Sequence, residues 1–429
     1  MADQATALGA TAPNRLPRLV RRLLAATFLS ALGNGLVLPF LVVYLHQVRG
    51  MPTVVAGLVV AWQALLGFAI APVAGSVIDR IGPRPVLLAA PVLLGMGTAS
   101  FAFVHRPLQA FGAATLVAFG GAALWPSSTT LLARLAGDDL RQRAFGVQFM
   151  MLNLGIGLGG LAAGLVVDVH RPATFQVLYL LDAVTFAAFV AVIGTVRDVG
   201  GPVPHTGDGP RPQGGYGVLF RDRAMVRVSL VSLLLLACGY GALEVGFPAF
   251  ATLYAGVSPS VVAFGYVGNT AVIVAGQLVA LKFVHGRSRS RLIAGVGLIW
   301  ALSWTLLGLA EPARSHGLAV ALVVAAPLVF AVGETIWQPV IPTLVNDLAP
   351  EELRGRYNAF LSVTWNVAGV LGPALSGLLL GSGQGWVFVV VVTAGCLVGV
   401  GFALRMRQVL TPAQDGRIDG DPVSSDVRL

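Results

Sequence analysis

The sequence predicts an all-α integral membrane protein, with twelve membrane-crossing helices arranged as two pseudo-symmetric bundles of six. Three observations carry that reading. Of 429 residues, 56% are hydrophobic and only 11% charged, and the mean hydropathy is +0.81, outside the range of water-soluble globular chains. Apolar runs of at least 20 residues recur at short intervals, each long enough to cross a hydrocarbon core as a helix. The second half of the chain repeats part of the first.

The runs define spans 1 to 6 at 23–47, 54–78, 85–105, 108–134, 144–169 and 174–196. Spans 7 to 12 fall at 226–254, 260–284, 291–310, 317–345, 357–381 and 386–406. None shows the period-two alternation of a lipid-facing barrel strand, so all are read as helices. Span 1 follows Arg15, Arg18, Arg21 and Arg22, as a signal peptide would, but it is longer than a signal-peptide core and no small-residue cleavage site follows. It is retained as a membrane helix. The interval from Arg197 to Arg223 contains GGPVPHTGDGPRPQGG, rich in Gly and Pro, and reads as a linker. The expected organisation is a tail (1–22), a first bundle (23–196), a linker (197–225), a second bundle (226–407) and a closing tail (408–429).

Charge sets the expected orientation. A net charge of +9 suggests a nucleic-acid partner in a soluble protein, but here the 28 basic residues are distributed by side. With the N-terminus inside, only Arg49, Arg106, Arg171 and Arg314 fall outside. That bias is the positive-inside pattern of an even number of spans with both termini in the cytoplasm, and no nucleic acid is required. Cys238 and Cys396 lie within apolar spans and suggest neither a disulfide framework nor a metal site.

Sliding the second half back by 213 residues aligns TLLARLAGDDLRQR from Thr130 with TLVNDLAPEELRGR from Thr343 without a gap. Eleven of 35 positions are identical, among them Arg141 with Arg354, Arg143 with Arg356 and Asn153 with Asn366. Asp138 and Asp139 answer Glu351 and Glu352. Parallel repeats of six spans are the architecture of rocker-type secondary transporters, with the binding site between the halves near the bilayer midplane.

Charge is unusually dense in GSVIDRIGPRP, between spans 2 and 3. This stretch resembles the loop signature of the major facilitator superfamily through Gly75, Asp79, Arg80, Gly82 and Arg84, while Pro83 occupies a commonly basic place. APEELRGRYNA from Ala349, and its weaker copy AGDDLRQRAFG, are similar to the same family's loops 10–11 and 4–5. The resemblance runs from about residue 20 to 407 and implies the major facilitator fold. It further implies that Asp79 latches the inner face against the start of span 11, near Arg354 and Arg356. The plainer alternative is that these charges only retain the loop in the cytoplasm. The second-half copy, GQLVALKFVHGRSRSR from Gly276, has Ala280 where the acid aligns, so the expected latch is asymmetric.

Other patterns are set aside. GIGLGG at Gly155 fits a dinucleotide-binding pattern but lies inside span 5 with no preceding strand, and small residues there let helices approach closely. Proton antiporters of the resembled family carry Gly-Pro in span 5, where this chain has Gly159-Gly160, although Gly372-Pro373 occurs in span 11. The one lysine, Lys282, follows Leu281, which excludes a Walker A motif. All six histidines fall at span ends or in loops, and no metal site is expected.

An ionisable residue within a span is by default a candidate site. Glu244 in span 7 and Glu334 in span 10 lie near mid-span, and Asp182 in span 6 lies somewhat toward the outer side. These three are the candidates for proton or cation coupling; for each, the plain alternative is a carboxyl that holds helices together. Candidate pocket residues in the first half are Asn34, Trp62, Gln63 and Trp125. In the second half they are Tyr240, Asn269, Trp337, Gln338, Trp365 and Asn366. No Arg or Lys lies near the middle of a span, which disfavours anionic solutes, and the mid-span Arg that many drug exporters carry in span 4 is missing.

The expectation is a carrier that exports lipophilic or cationic small molecules in exchange for protons by alternating access, driven by the proton gradient without a cofactor. It is placed in a bacterial plasma membrane, with lipid, substrate and protons as partners, as a monomer. The alternative function is import of a small neutral polar solute. A non-transporting scaffold or receptor needs no mid-span acids. An enzyme is disfavoured because no nucleophile-base pair or metal set lies at membrane depth.

Overall fold

The computed structural model describes residues 15–196, 199–201 and 216–416; most of the expected linker, the first residues of the N-terminal tail and the last of the C-terminal tail lie outside the described residues. Helices account for nearly all of it. Eleven helical runs are long and apolar enough to cross a membrane. One of them, Pro107–Val166, has 60 residues and therefore runs about three times the length one crossing needs.

That run holds spans 4 and 5. It breaks at Gly137, where φ is 65° and ψ 178°, a conformation open to glycine and strained for any side chain. The chain doubles back there, and Gln148 of span 5 donates to Ser128 of span 4 at 3.2 Å. The sequence predicts a loop over 135–143, yet apart from Gly137 this stretch is helical, with Arg141 pairing to Asp138 one turn earlier at 2.6 Å. The other spans are Arg18–Val48, Thr53–Ile81, Pro83–Ala102 and Pro172–Gly194 in the first half. In the second they are Arg223–Leu253, Pro259–Val284, Arg289–Gly308, His316–Leu348, Glu351–Gly381 and Gly385–Gln408. Two halves of six crossings result.

The repeat extends from sequence into packing. Gly159 of span 5 lies against the backbone of Leu32 and Gly35 in span 1, so a side chain there would meet main chain. Its mate 213 residues on, Gly372 of span 11, lies equally close to the backbone of Gly241 in span 7. Small residues thus bring backbones together at equivalent places in both halves. Thr130 donates to the Pro126 carbonyl and Thr343 to the Pro339 carbonyl, each at 2.7 Å and again 213 residues apart.

Prolines break the helix ladder in span 10, and the neighbouring span compensates. Pro339 has no N–H to give to the Thr335 carbonyl, and Gln277 of span 8 donates to that carbonyl at 3.0 Å instead. Span 7 departs from α geometry at Ala237–Gly241, a π turn of the kind frequent at functional sites. Tyr240 sits in that turn.

Candidate functional site

At the arginine-rich end, the halves are joined through residues the sequence had marked. Span 11 begins its α-helix at Arg354 behind Leu353, which has no polar side chain to satisfy the first backbone N–H groups. Asp79, from the end of span 2 in the other half, does so. Its Oδ1 accepts from the Gly355 N–H at 2.7 Å and its Oδ2 from the Arg356 N–H at 3.3 Å, while the Arg356 Nε lies 3.3 Å from Oδ2. A carboxylate meets the positive end of a helix there. Gly75 makes the approach possible, since a Cβ on it would come within 2.6 Å of both Ala359 and the Tyr216 hydroxyl.

The other signature residues are placed around this contact. Gly82 ends span 2 with φ 88° and ψ 161°, a glycine conformation that starts span 3 within one residue. The Arg84 N–H donates to the Gly200 carbonyl at 3.0 Å, and Arg80 is exposed. Arg354 does not reach Asp79; it lies 3.9 Å from Glu351, repeating the Arg141–Asp138 pair of the first half. Tyr216, just before span 7, donates to the Pro72 carbonyl at 2.6 Å, and burial raises its hydroxyl pKa to about 12. Two further bridges were not anticipated. Asn358 of span 11 donates to Thr130 of span 4 at 3.1 Å, and Arg141 of span 5 pairs with Asp347 at the end of span 10. These hydrogen bonds and ion pairs between the two halves all lie at this end.

Deeper in the second half lies a polar cluster. Glu334 of span 10 is 4% exposed, and its Oε2 accepts from the Asn269 side-chain amide of span 8 at 2.6 Å. The same Asn269 amide donates to the Pro327 carbonyl at 3.0 Å. The Tyr240 hydroxyl lies beside the Glu334 carboxylate, and Gln338, one turn beyond Glu334, donates to that hydroxyl at 3.4 Å. Aromatic rings enclose Tyr240: Trp365 at 4.8 Å, Trp300 at 5.5 Å and Phe330 at 5.6 Å between centroids. A buried charge is tolerated only when paired or hydrogen-bonded, and here Asn269 of span 8 supplies the donor to the carboxylate.

Five of the predicted residues therefore meet: Glu334, Asn269, Tyr240, Gln338 and Trp365. The remaining candidates do not join them. Trp337 packs inside the second-half core beside Trp300, 5.6 Å between rings, and so backs the cluster instead of lining a pocket; an aromatic of this size gains most when fully packed. Asp182 is buried within the first half between Gly33 of span 1 and Thr98 of span 3, with Thr185 donating to it at 3.4 Å. Glu244, one turn beyond Tyr240, is exposed and faces Tyr266 of span 8. Trp62 donates to Thr115 of span 4 at 2.9 Å. Asn34, Trp125 and Asn366 are exposed and Gln63 is half-buried. Among the described residues, no three His, Cys, Asp or Glu side chains converge as metal ligands would.

Comparison with known proteins matches this picture. The sequence profile of the Major Facilitator Superfamily matches residues 23–333 and 287–424. The uncharacterized MFS-type transporter YttB of Bacillus subtilis is 23% identical over 377 residues, covering 85% of this chain and 89% of that protein. The multidrug resistance protein MdtH of Aeromonas hydrophila is 27% identical over 384 residues, covering 87% of this chain and 91% of that protein. Among solved structures, a bacterial homologue of the iron transporter ferroportin in an outward-facing state superposes with a TM-score of 0.73 at 15% identity, covering 91% of this chain and 100% of that one. That likeness is one of fold.

Proposed function

The chain belongs to the Major Facilitator Superfamily and is a membrane transporter, and from that premise we propose that it exports lipophilic or cationic small molecules in exchange for protons. The carrying observation is the buried Glu334 carboxylate, held by Asn269 beside Tyr240 and its aromatic wall. An organic cation gains from a carboxylate and from the faces of aromatic rings together. A proton reaching Glu334 removes the charge that holds the cation, and loss of the proton restores it. The two ligands compete for one group, which is the requirement for exchange.

Two further points support the reading. No Lys or Arg lies near the middle of any span to attract an anion. The multidrug resistance proteins named MdtH are related to this chain along most of its length. The arginine-rich end, by the positive-inside rule, faces the cytoplasm of a bacterial plasma membrane, so Asp79 and its partners form the inner gate.

The test uses everted membrane vesicles with an imposed pH gradient, to which lipophilic cations and neutral drugs are added one at a time. Substrate-induced proton release is expected from wild type and from Glu244→Gln, and not from Glu334→Gln. If no compound releases protons while intact cells accumulate a neutral polar solute through this protein, export is wrong.

A further inference from the structure

The Arg141–Asp347 pair that joins the halves is the end of a longer chain of contacts. The Asp347 carboxylate is shared: Oδ1 meets Arg141 of the first half, and Oδ2 lies 2.6 Å from the guanidinium of Arg289, the first residue of span 9. Arg289 is itself fixed from beyond the last span. Its guanidinium donates to the Gln414 carbonyl at 2.9 Å, and its backbone N–H donates to the Asp415 carbonyl at 2.8 Å.

Asp415 is fully buried, although it belongs to the tail that follows span 12. Its side chain accepts from the Ser290 N–H and from the Ser288 hydroxyl, each at 2.9 Å, so it closes the start of span 9 as a cap residue would. Arg407 lies 4.0 Å from the same carboxylate. Charges thus alternate along a single path: Asp138, Arg141, Asp347, Arg289, then the Gln414 carbonyl and Asp415.

We propose that residues 411–416 form a strap that sets the lock between the halves, with Asp415 as its positioning residue. Asp415 holds the tail on the start of span 9; the tail holds the Arg289 guanidinium; Arg289 orients the Asp347 carboxylate toward Arg141. The second-half copy of the loop signature has Ala280 where an acid would latch onto span 5, and the strapped Asp347 does that work from span 10. Displacing the tail, by a binding partner or by modification, therefore loosens one of the two latches and leaves Asp79 on span 11 in place. The proposal concerns gating and needs no substrate, so it stands or falls separately from the export reading.

The experiment measures gate opening in the full-length protein in lipid nanodiscs. Cys238 and Cys396 are replaced by Ala, spin labels are placed at Asp139→Cys and Lys282→Cys, both exposed and on opposite halves, and pulsed electron resonance gives the distance distribution. Asp415→Asn should raise the ratio of long to short distances on the order of tenfold, the loss expected for buried hydrogen bonds to a charged group. Asp415→Glu should recover part of it. In an Asp347→Asn background, Asp415→Asn should add nothing, because the strap acts only through that carboxylate. A distribution unchanged by Asp415→Asn, or a full additive effect on top of Asp347→Asn, overturns the proposal, even if the variant melts earlier. If Asp415→Asn does not reach the membrane, Ser288→Ala, which removes one donor and leaves the carboxylate, must shift the distribution in the same direction or the proposal fails.

Discussion

The Asp79 carboxylate and the Gly355 amide, 276 residues apart in sequence, meet at 2.7 Å and cap one half's helix with the other half's side chain. Replacing Asp79 by Ala should free the first turn of span 11. Hydrogen exchange of the peptide covering 350–360 should then speed up roughly tenfold, from the loss of a cap and of a charged hydrogen bond together worth about 1–3 kcal/mol. Asp79→Asn, which still caps, should lose less. Equal exchange in Ala, Asn and wild type would show that the carboxylate does not protect that turn.

Glu334 accepts from the buried Asn269 amide, and that bond separates two substitutions. Glu334→Gln keeps an acceptor oxygen and should melt within a degree or two of wild type. Glu334→Leu removes that acceptor and leaves the Asn269 amide with the Pro327 carbonyl alone, costing about 1–3 kcal/mol, so its melting temperature should drop by several degrees. Thermal unfolding in detergent decides between them; a Leu variant as stable as the Gln variant contradicts the assigned hydrogen bonds.

Gln277 replaces a donor that Pro339 lacks. Gln277→Leu should therefore destabilise by about 1–3 kcal/mol, and Pro339→Ala, by restoring an N–H to the Thr335 carbonyl, should cancel most of that loss. The comparison is a double-mutant cycle of unfolding midpoints. Simple additivity of the two substitutions is the outcome that contradicts the account.

The backbone contacts at Gly159 and Gly372 leave no room for a methyl group. Gly159→Ala and Gly372→Ala should each cost more than about 2 kcal/mol, because main chain, unlike a flexible side chain, cannot swing aside. Gly164→Ala, where a Cβ would meet nothing within 4 Å, serves as the control and should be neutral. Yield of monodisperse protein and its melting temperature report the difference, and equal behaviour of all three removes the argument.

Tyr216 gives a pH dependence. With its hydroxyl held near 12 against an ordinary value of 10, the folded protein favours the protonated form. Its contribution is fully present below pH 10 and is lost as pH rises from there to about 12. The stability difference between wild type and Tyr216→Phe should thus be flat from pH 6 to 9. A slope within that window means another group titrates with the contact.

The crossings were legible because membrane thickness imposes a run length that hydropathy reveals directly, and the duplication because identical residues recur at one offset. The Gly137 hairpin was legible as an interruption but not as a single-residue break in continuing helix. Of the site, Glu334, Tyr240, Asn269, Gln338 and Trp365 stood out as polar or aromatic residues in apolar runs. That they meet did not follow, since a helix apolar all round declares no preferred face. The π turn at Ala237–Gly241 rotates Tyr240 without a pattern that announces it. Asp347, Arg289 and Asp415 were missed because charges at span ends pass for interfacial ones. One sign was available: Asp347 stands where the first half has Arg134, a reversal of charge between otherwise matching positions.

The Glu334 cluster draws on spans 7, 8, 10 and 11, all of the same half. When two such halves rock past one another as solid blocks, distances inside each block stay fixed, so the cluster is neither built nor dismantled by the stroke. Whatever it holds travels as a passenger of one block. Its affinity can then be altered only by what covers it: the wetness of the cleft and the opposing wall. If Glu334 holds the cargo as proposed, the first half acts as a shutter over a receptacle that the second half carries ready-made.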